Sequence, residues 1–206
     1  MPSIRMLSLA LAALMVAVMA LPGPVQAQFS DSYKFLEAVR KKDGTAATAL
    51  LDKGSSSLIN TRDLTSGNTA LHIATTRRDL TWMQFLVAKG ANVNTPNVKG
   101  ETALVVAVNL GFNEGAELLI GNGAAVDARN RTGETPLITA VHNRNVGLMR
   151  LLLKAGADPD RADNSGRSSR DYAALDPKAE MLLNEIKANA KPKPKPGQGA
   201  KLFGPK

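Results

Sequence analysis

A block built on Gly, Thr, Leu and Ala returns every 33 residues: GNTALHIA from Gly67, GETALVVA from Gly100, GETPLITA from Gly133 and a degenerate GRSSRDYA from Gly166. Leading glycines that keep step over four blocks, with no residue inserted, restrict the fold to a stack of like units. A lone unit could not bury its own apolar side, so the stack is what folds. Such stacks offer an extended binding surface, not a reaction vessel.

The block from Gly133 shows what one unit must do locally. Thr135 precedes Pro136, an N-cap followed by proline at the first helical position, where the missing N–H costs nothing. A first helix is expected from Pro136 to Asn143, then a polar reversal at Arg144 and Asn145. Val146, Met149, Leu152 and Leu153 carry the 3-and-4 spacing of a second amphipathic helix. Gly156 can end it in a positive-φ C-cap, and Asp158 to Ser165 must carry the chain out and back as a hairpin-like finger. Small residues at Ala74, Ala107, Ala140 and Ala173 let packed helices approach closely.

A second motif keeps the same phase: Gly90-Ala91-Asn92-Val93-Asn94, Gly123-Ala124-Ala125-Val126-Asp127 and Gly156-Ala157-Asp158-Pro159-Asp160. With the Thr-Ala-Leu-His block, a turn and a second apolar run before it, this order resembles that of ankyrin-repeat proteins. The resemblance implies an all-α solenoid of about five helix-turn-helix units with finger loops, and a role in binding another protein. Residues 67–165 are then three consensus repeats, with 28–66 and 166–189 as the N- and C-terminal capping repeats. Aligning Asp43 and Gly54 with Asp79 and Gly90 gives an offset of 36, so three extra residues are expected to lengthen the first finger. Both ends depart from the consensus, as terminal repeats that show one face to water should.

Residues 1–27 have a different character. Arg5 gives a short positive region, Leu7 to Leu21 an apolar run, and Val25-Gln26-Ala27 a small-x-small cleavage pattern after Pro22, Gly23 and Pro24. An apolar run of about 15 residues falls short of the roughly 20 that span a bilayer. A cleaved export signal is therefore expected, cut between Ala27 and Gln28; the alternative is an uncleaved inner-membrane anchor. The absence of cysteine rules out lipidation at that residue and favours a bacterial periplasm over a disulfide-rich secretory route. Asn130-Arg131-Thr132 matches a glycosylation sequon, whose plainer reading is a finger-tip turn.

Charge is unevenly placed. Of the formal net +8, Arg5 belongs to the leader and six lysines (Lys187, Lys191, Lys193, Lys195, Lys201, Lys206) lie in a stretch without acidic residues, leaving 19 basic against 18 acidic. A nearly neutral repeat body argues against a nucleic-acid partner. The tail over 190–206 holds Lys191-Pro-Lys-Pro-Lys-Pro, a composition for polyproline II of about 19 Å at roughly 3.1 Å per residue. Its two readings are a solvated end and a contact for an anionic envelope surface: phospholipid, lipopolysaccharide or an acidic protein.

Catalytic chemistry is poorly supplied, so no enzyme, cofactor or metal site is expected. Two histidines and no cysteine leave neither a thiol nucleophile nor a multi-histidine metal set. The resemblance makes His72 a structural residue bonding the neighbouring loop, and makes a binding contact of His142. Ser55 to Ser57 and Ser168-Ser169 lack a nucleophile elbow, and no phosphate- or dinucleotide-binding fingerprint follows a strand.

Binding residues follow from the resemblance by position, on a concave face of finger tips and first-helix ends. The tips are Thr65, Ser66 and Asn68; Val98, Lys99 and Glu101; Arg131, Thr132 and Glu134; Asn164, Ser165 and Arg167. The helix positions are Thr76, Arg77, Asn109, Leu110, His142 and Asn143. Val98 and Leu110 give an apolar centre within a polar rim, the pattern of a protein interface on a monomeric binder. Trp82, beside Phe85 and Leu86, is either an inter-helix packing residue or an anchor on the opposite, convex face. Gly115 and Gly121 make the repeat over 100–132 the expected soft spot, at about 1 kcal/mol each relative to alanine.

Overall fold

The computed structural model describes residues 30–54 and 57–190. The leader, its Ala27/Gln28 cleavage site and the Lys/Pro segment beyond Ala190 lie outside the described residues. Among the described residues ten α-helices follow one another in pairs: α1 (Asp31–Lys41) and α2 (Gly44–Lys53), α3 (Ala70–Thr76) and α4 (Leu80–Ala88), α5 (Ala103–Asn109) and α6 (Asn113–Gly121), α7 (Pro136–His142) and α8 (Val146–Ala155), α9 (Ser169–Leu175) and α10 (Ala179–Asn189). Five stacked units result, an ankyrin-type solenoid. The first helices form an inner row and the second helices an outer row; the inner row packs more closely through the first four units, and the outer helices α8 and α10 close up at the last joint.

Seven-residue inner helices are too short to hold themselves, so caps and packing must do it. Thr69, Thr102, Thr135 and Ser168 stand at their N-caps, 33 residues apart, each accepting from the backbone N–H three residues on. Pro136 occupies N1 as the sequence predicts, and Gly156 closes α8 in the left-handed region with φ of 104°. Ala74, Ala107, Ala140 and Ala173 are fully buried, alongside Leu71, Leu104 and Leu137 one turn earlier. The first pair joins the same core through Phe35, Leu36 and Val39, and the last through Leu182 and Ile186.

The turn between the helices of a unit passes through a left-handed residue at one recurring place: Lys42, Arg78, Gly111 and Arg144, with φ between 51° and 61°. Three of the four carry a basic side chain despite the strain this imposes on a Cβ. Each reaches forward to the next unit: Lys42 to Asp79, Arg78 to the Gly111 carbonyl, Arg144 to Asp176.

Outer helices α2, α4 and α8 are capped by Asp43, Asp79 and Asn145, but Phe112 holds that place before α6 and offers no side-chain cap. Its ring lies against Gly115, where any Cβ would collide with it, and beneath the Arg78 guanidinium at 5.4 Å. Gly115 is thus the partner of a buried Phe112 and not a simple weakness. Gly121, with open space around its Cβ position, fits the sequence argument better.

The three extra residues of the first linker divide. From Gly90, Gly123 and Gly156 the chain takes seven residues to reach Asn97, Asn130 and Asp163, but from Gly54 it takes nine to reach Asp63. A 3₁₀ turn at Leu58–Asn60 uses that surplus to bury Leu58 and Ile59. The remaining one lengthens the tip, where Leu64 stands fully exposed.

Candidate functional site

Each finger tip is wound around one Asx side chain. Asp63, Asn97, Asn130 and Asp163 turn a side-chain oxygen onto backbone N–H groups of their own tip. The Ser66 N–H and hydroxyl pull the Asp63 carboxyl down to about 2, against partial burial and with help from Arg40. Burial would raise the Asp163 carboxyl, but hydrogen bonds from Ser165, Tyr172 and Arg167 hold it well below the usual range. Successive tips are then stitched together: Val98 N–H to the Ser66 carbonyl, Arg131 N–H to that of Lys99, Asn164 N–H to that of Thr132, all at 3.0 Å. The fingers therefore make one continuous edge.

His72 fixes a finger to the inner row. The Thr69 N–H donates to Nδ1, which places the proton on Nε2, and Nε2 donates to the Glu101 carbonyl at 2.9 Å. Burial pushes this imidazole below its ordinary pKa, while the Glu101 carbonyl pulls the other way. His72 thus holds the base of the second finger, as the resemblance implies.

A groove of about 380 Å³ opens between the first two fingers and the ends of α3 and α5. Of its lining, Ser66, Asn68, Thr76, Val98, Lys99, Glu101, Asn109 and Leu110 are positions expected from the sequence. Val98 and Leu110 are 40% and 39% exposed there. Asn97 donates to Asn68 and to the Glu101 carboxylate, a polar network beside these apolar residues.

A second group forms two units further on. Glu134 lies 3.9 Å from His142 Nδ1, and the His142 ring meets Tyr172 edge to face at 4.4 Å. Tyr172 donates to Asp163 and touches Ser165, with the Arg167 guanidinium 5.9 Å from its ring. Arg131, Thr132 and Asn164 sit on the stitched tips, and Thr65 is exposed at the first.

Two expected residues turn elsewhere. Arg77, Leu110 and Asn143 share the C-cap position of their inner helices, yet only Leu110 opens to the groove. The Arg77 guanidinium donates to the Val39 and Arg40 carbonyls at the end of α1, and Asn143 reaches back to the Val108 carbonyl at 3.5 Å. Arg77 therefore belongs to the joint between the first two units.

Sequence reasoning passed over Asn97, Val106 and Tyr172. Val106 and Tyr172 occupy one register, with Ile73 and Thr139, three residues before the helix-end row Thr76, Asn109 and His142. Positions three apart share a helix face, so helical periodicity was the available signal.

On the outer-helix side, Trp82 is half-buried, packs edge to face on Phe85 at 5.4 Å and lines a separate groove of about 340 Å³ with Lys42, Gly44, Thr48 and Thr81. It serves packing and surface at once. Among the described residues no group of three or more His, Cys, Asp or Glu is placed to hold a metal ion, and no helix is long and apolar enough to cross a membrane.

Known families agree with this architecture. Residues 35–130 match a family model described as ankyrin repeats in three copies, and residues 118–173 match one described as ankyrin repeats in many copies. A fowlpox virus (strain NVSL) protein named for ankyrin repeats is 41% identical over 61 residues, covering 30% of this chain and 14% of the viral protein. The chain thus spans a small part of that relative's length. Stitched fingers, paired short helices and both family matches lead to one statement: the chain belongs to the ankyrin-repeat family.

Proposed function

We propose that this chain is an exported, non-enzymatic binding protein that grips another protein through its finger face in a bacterial periplasm. Ankyrin repeats are protein–protein interaction modules, which supplies the class of activity. The observation that carries the reading is the groove in which Val98 and Leu110 stand exposed among amides and hydroxyls, an apolar centre inside a polar rim. Export rests on the Arg5, Leu7 to Leu21 and Val25-Gln26-Ala27 pattern of the sequence. A binder of this kind can inhibit its partner, including an incoming toxic enzyme, by covering its working surface.

The Lys/Pro tail motivates a second reading, in which the lysines hold the chain to an anionic envelope surface or an acidic partner and the repeats are carried along. Capture from gently fractionated cells separates the two. One protein recovered equally with and without residues 190–206, and lost with Leu110→Asp, supports the finger-face reading. Retention that disappears with the tail, or falls steeply with salt, supports the second.

A further inference from the structure

The Glu101 carboxylate is held in the first groove by uncharged donors. Asn97 Nδ2 donates to Oε2 at 3.1 Å and Asn109 Nδ2 approaches Oε1 at 3.5 Å. The backbone beneath is fixed at three points: the Glu101 N–H donates to Asn97 Oδ1, and its carbonyl accepts from the Asn97 N–H and from His72 Nε2. Among the described residues no lysine, arginine or histidine lies within ion-pair distance of this carboxylate, whose charge is felt by the His72 ring, although Lys99 lines the same groove. Its counterpart 33 residues on, Glu134, does have a neighbour of that kind in His142.

Each Glu101 oxygen receives one amide donor and keeps a second lone pair. Two oxygens so presented match the two parallel N–H bonds of a guanidinium, the bidentate pair that favours arginine over lysine. Beside the carboxylate, Val98, Val106 and Leu110 supply apolar surface of the sort that covers the methylene stem of a long basic side chain. At about 380 Å³ the groove lies near the lower end of ligand-site volumes, room for a side chain and its neighbours and not for a large cofactor.

We infer that this groove receives an arginine of the partner protein, its guanidinium on Glu101 and its stem between Val98 and Leu110. The inference rests on the finger-face reading and names what that face recognises.

The test uses the full chain and two peptides, Ac-Leu-Arg-Leu-NH2 and its neutral isostere with citrulline for arginine, titrated while following amide shifts by NMR. Saturable shifts at Asn97, Asn109 and Leu110, at least five-fold tighter for the arginine peptide, are expected. In Glu101→Gln, which keeps an acceptor for Asn97, the two peptides should bind equally while the thermal midpoint stays unchanged. Equal affinity of both peptides for the wild type, or shifts scattered over other surfaces, overturns the inference. Groove shifts between wild type and a variant with Lys191, Lys193 and Lys195 changed to Ala, before any peptide is added, would assign the site to the chain's own tail and also overturn it. Failure of the finger-face reading shows separately, as a captured partner whose affinity ignores Leu110→Asp.

Discussion

Between the second, third and fourth units the polar contacts are hydrogen bonds, in which a charged group meets a neutral one at Arg78, Asp127 and Arg129, whereas every ion pair bridging units among the described residues lies at the first joint or the last. At the first, Lys42 pairs with Asp79 at 3.0 Å, and Arg77 donates to the carbonyls ending α1. At the last, Arg144 meets Asp176 at 2.8 Å, Arg150 takes Glu185 with two nitrogens at 2.7 and 2.9 Å, and Arg170 reaches Asp160 at 2.8 Å. An interior unit buries apolar surface against two neighbours, an end unit against one. The ends make up part of that difference with charge, which is worth little per exposed pair and is screened by salt.

The largest test of this contrast compares two fully buried leucines. Leu104→Ala in the interior should cost about 2–5 kcal/mol by urea unfolding. Leu182→Ala removes the same atoms from the last unit and should chiefly speed hydrogen exchange in α9 and α10, leaving the main transition nearly in place. If both lower the midpoint alike, ends and interior do not differ. Next in size, Gly115→Ala should destabilise the third unit by about 1–3 kcal/mol through collision with Phe112, while Gly121→Ala should gain up to about 1 kcal/mol. Equal effects in thermal melts would show that Phe112 does not need the glycine.

The last unit also hides a Ser169 hydroxyl that is fully buried and has no hydrogen-bond partner among the described residues. Ser169→Ala should raise stability by about 1 kcal/mol and slow exchange in α9; a loss would mean that the hydroxyl is satisfied in solution. Smaller still, raising salt from 50 to 500 mM should speed exchange in α1 and α10 and leave α5 unchanged, with each exposed pair worth under about 1 kcal/mol. The last effect is a change of slope. Because burial lowers the folded pKa of His72, its contribution is whole above the ordinary value near 6.5 and declines as pH falls below it, where the unfolded chain takes the proton first. Stability measured from pH 7 downward should lose that part of its acid slope in His72→Gln.

Most of the frame was legible because it repeats. Thr69, Thr102, Thr135 and Ser168 announce helix starts by spacing alone, and the glycines from Gly67 onward locate the finger tips. What escaped depends on contacts between units. Arg77 reads as an exposed helix end until the α1 carbonyls are placed behind it. Gly115 reads as a defect because nothing local announces that Phe112, in a capping residue's place, folds onto it. Tyr172 joins His142 only through the packing of α7 on α9.

The stitch from Ser66 to Val98, repeated at Lys99 and Thr132, has a consequence for how the chain can be built and rebuilt. Among the described residues no side-chain hydrogen bond joins positions more than 38 apart, so each unit needs only the unit made just before it. The sequence distance a contact must span does not grow as the stack lengthens, which keeps contact order low and lets a growing chain fold behind the ribosome. Excising one period, such as residues 100–132, would bring Lys99 to Gly133 with every later landmark still in phase. Gene duplication or loss in steps of 33 codons can therefore lengthen or shorten the molecule without inventing a new joint.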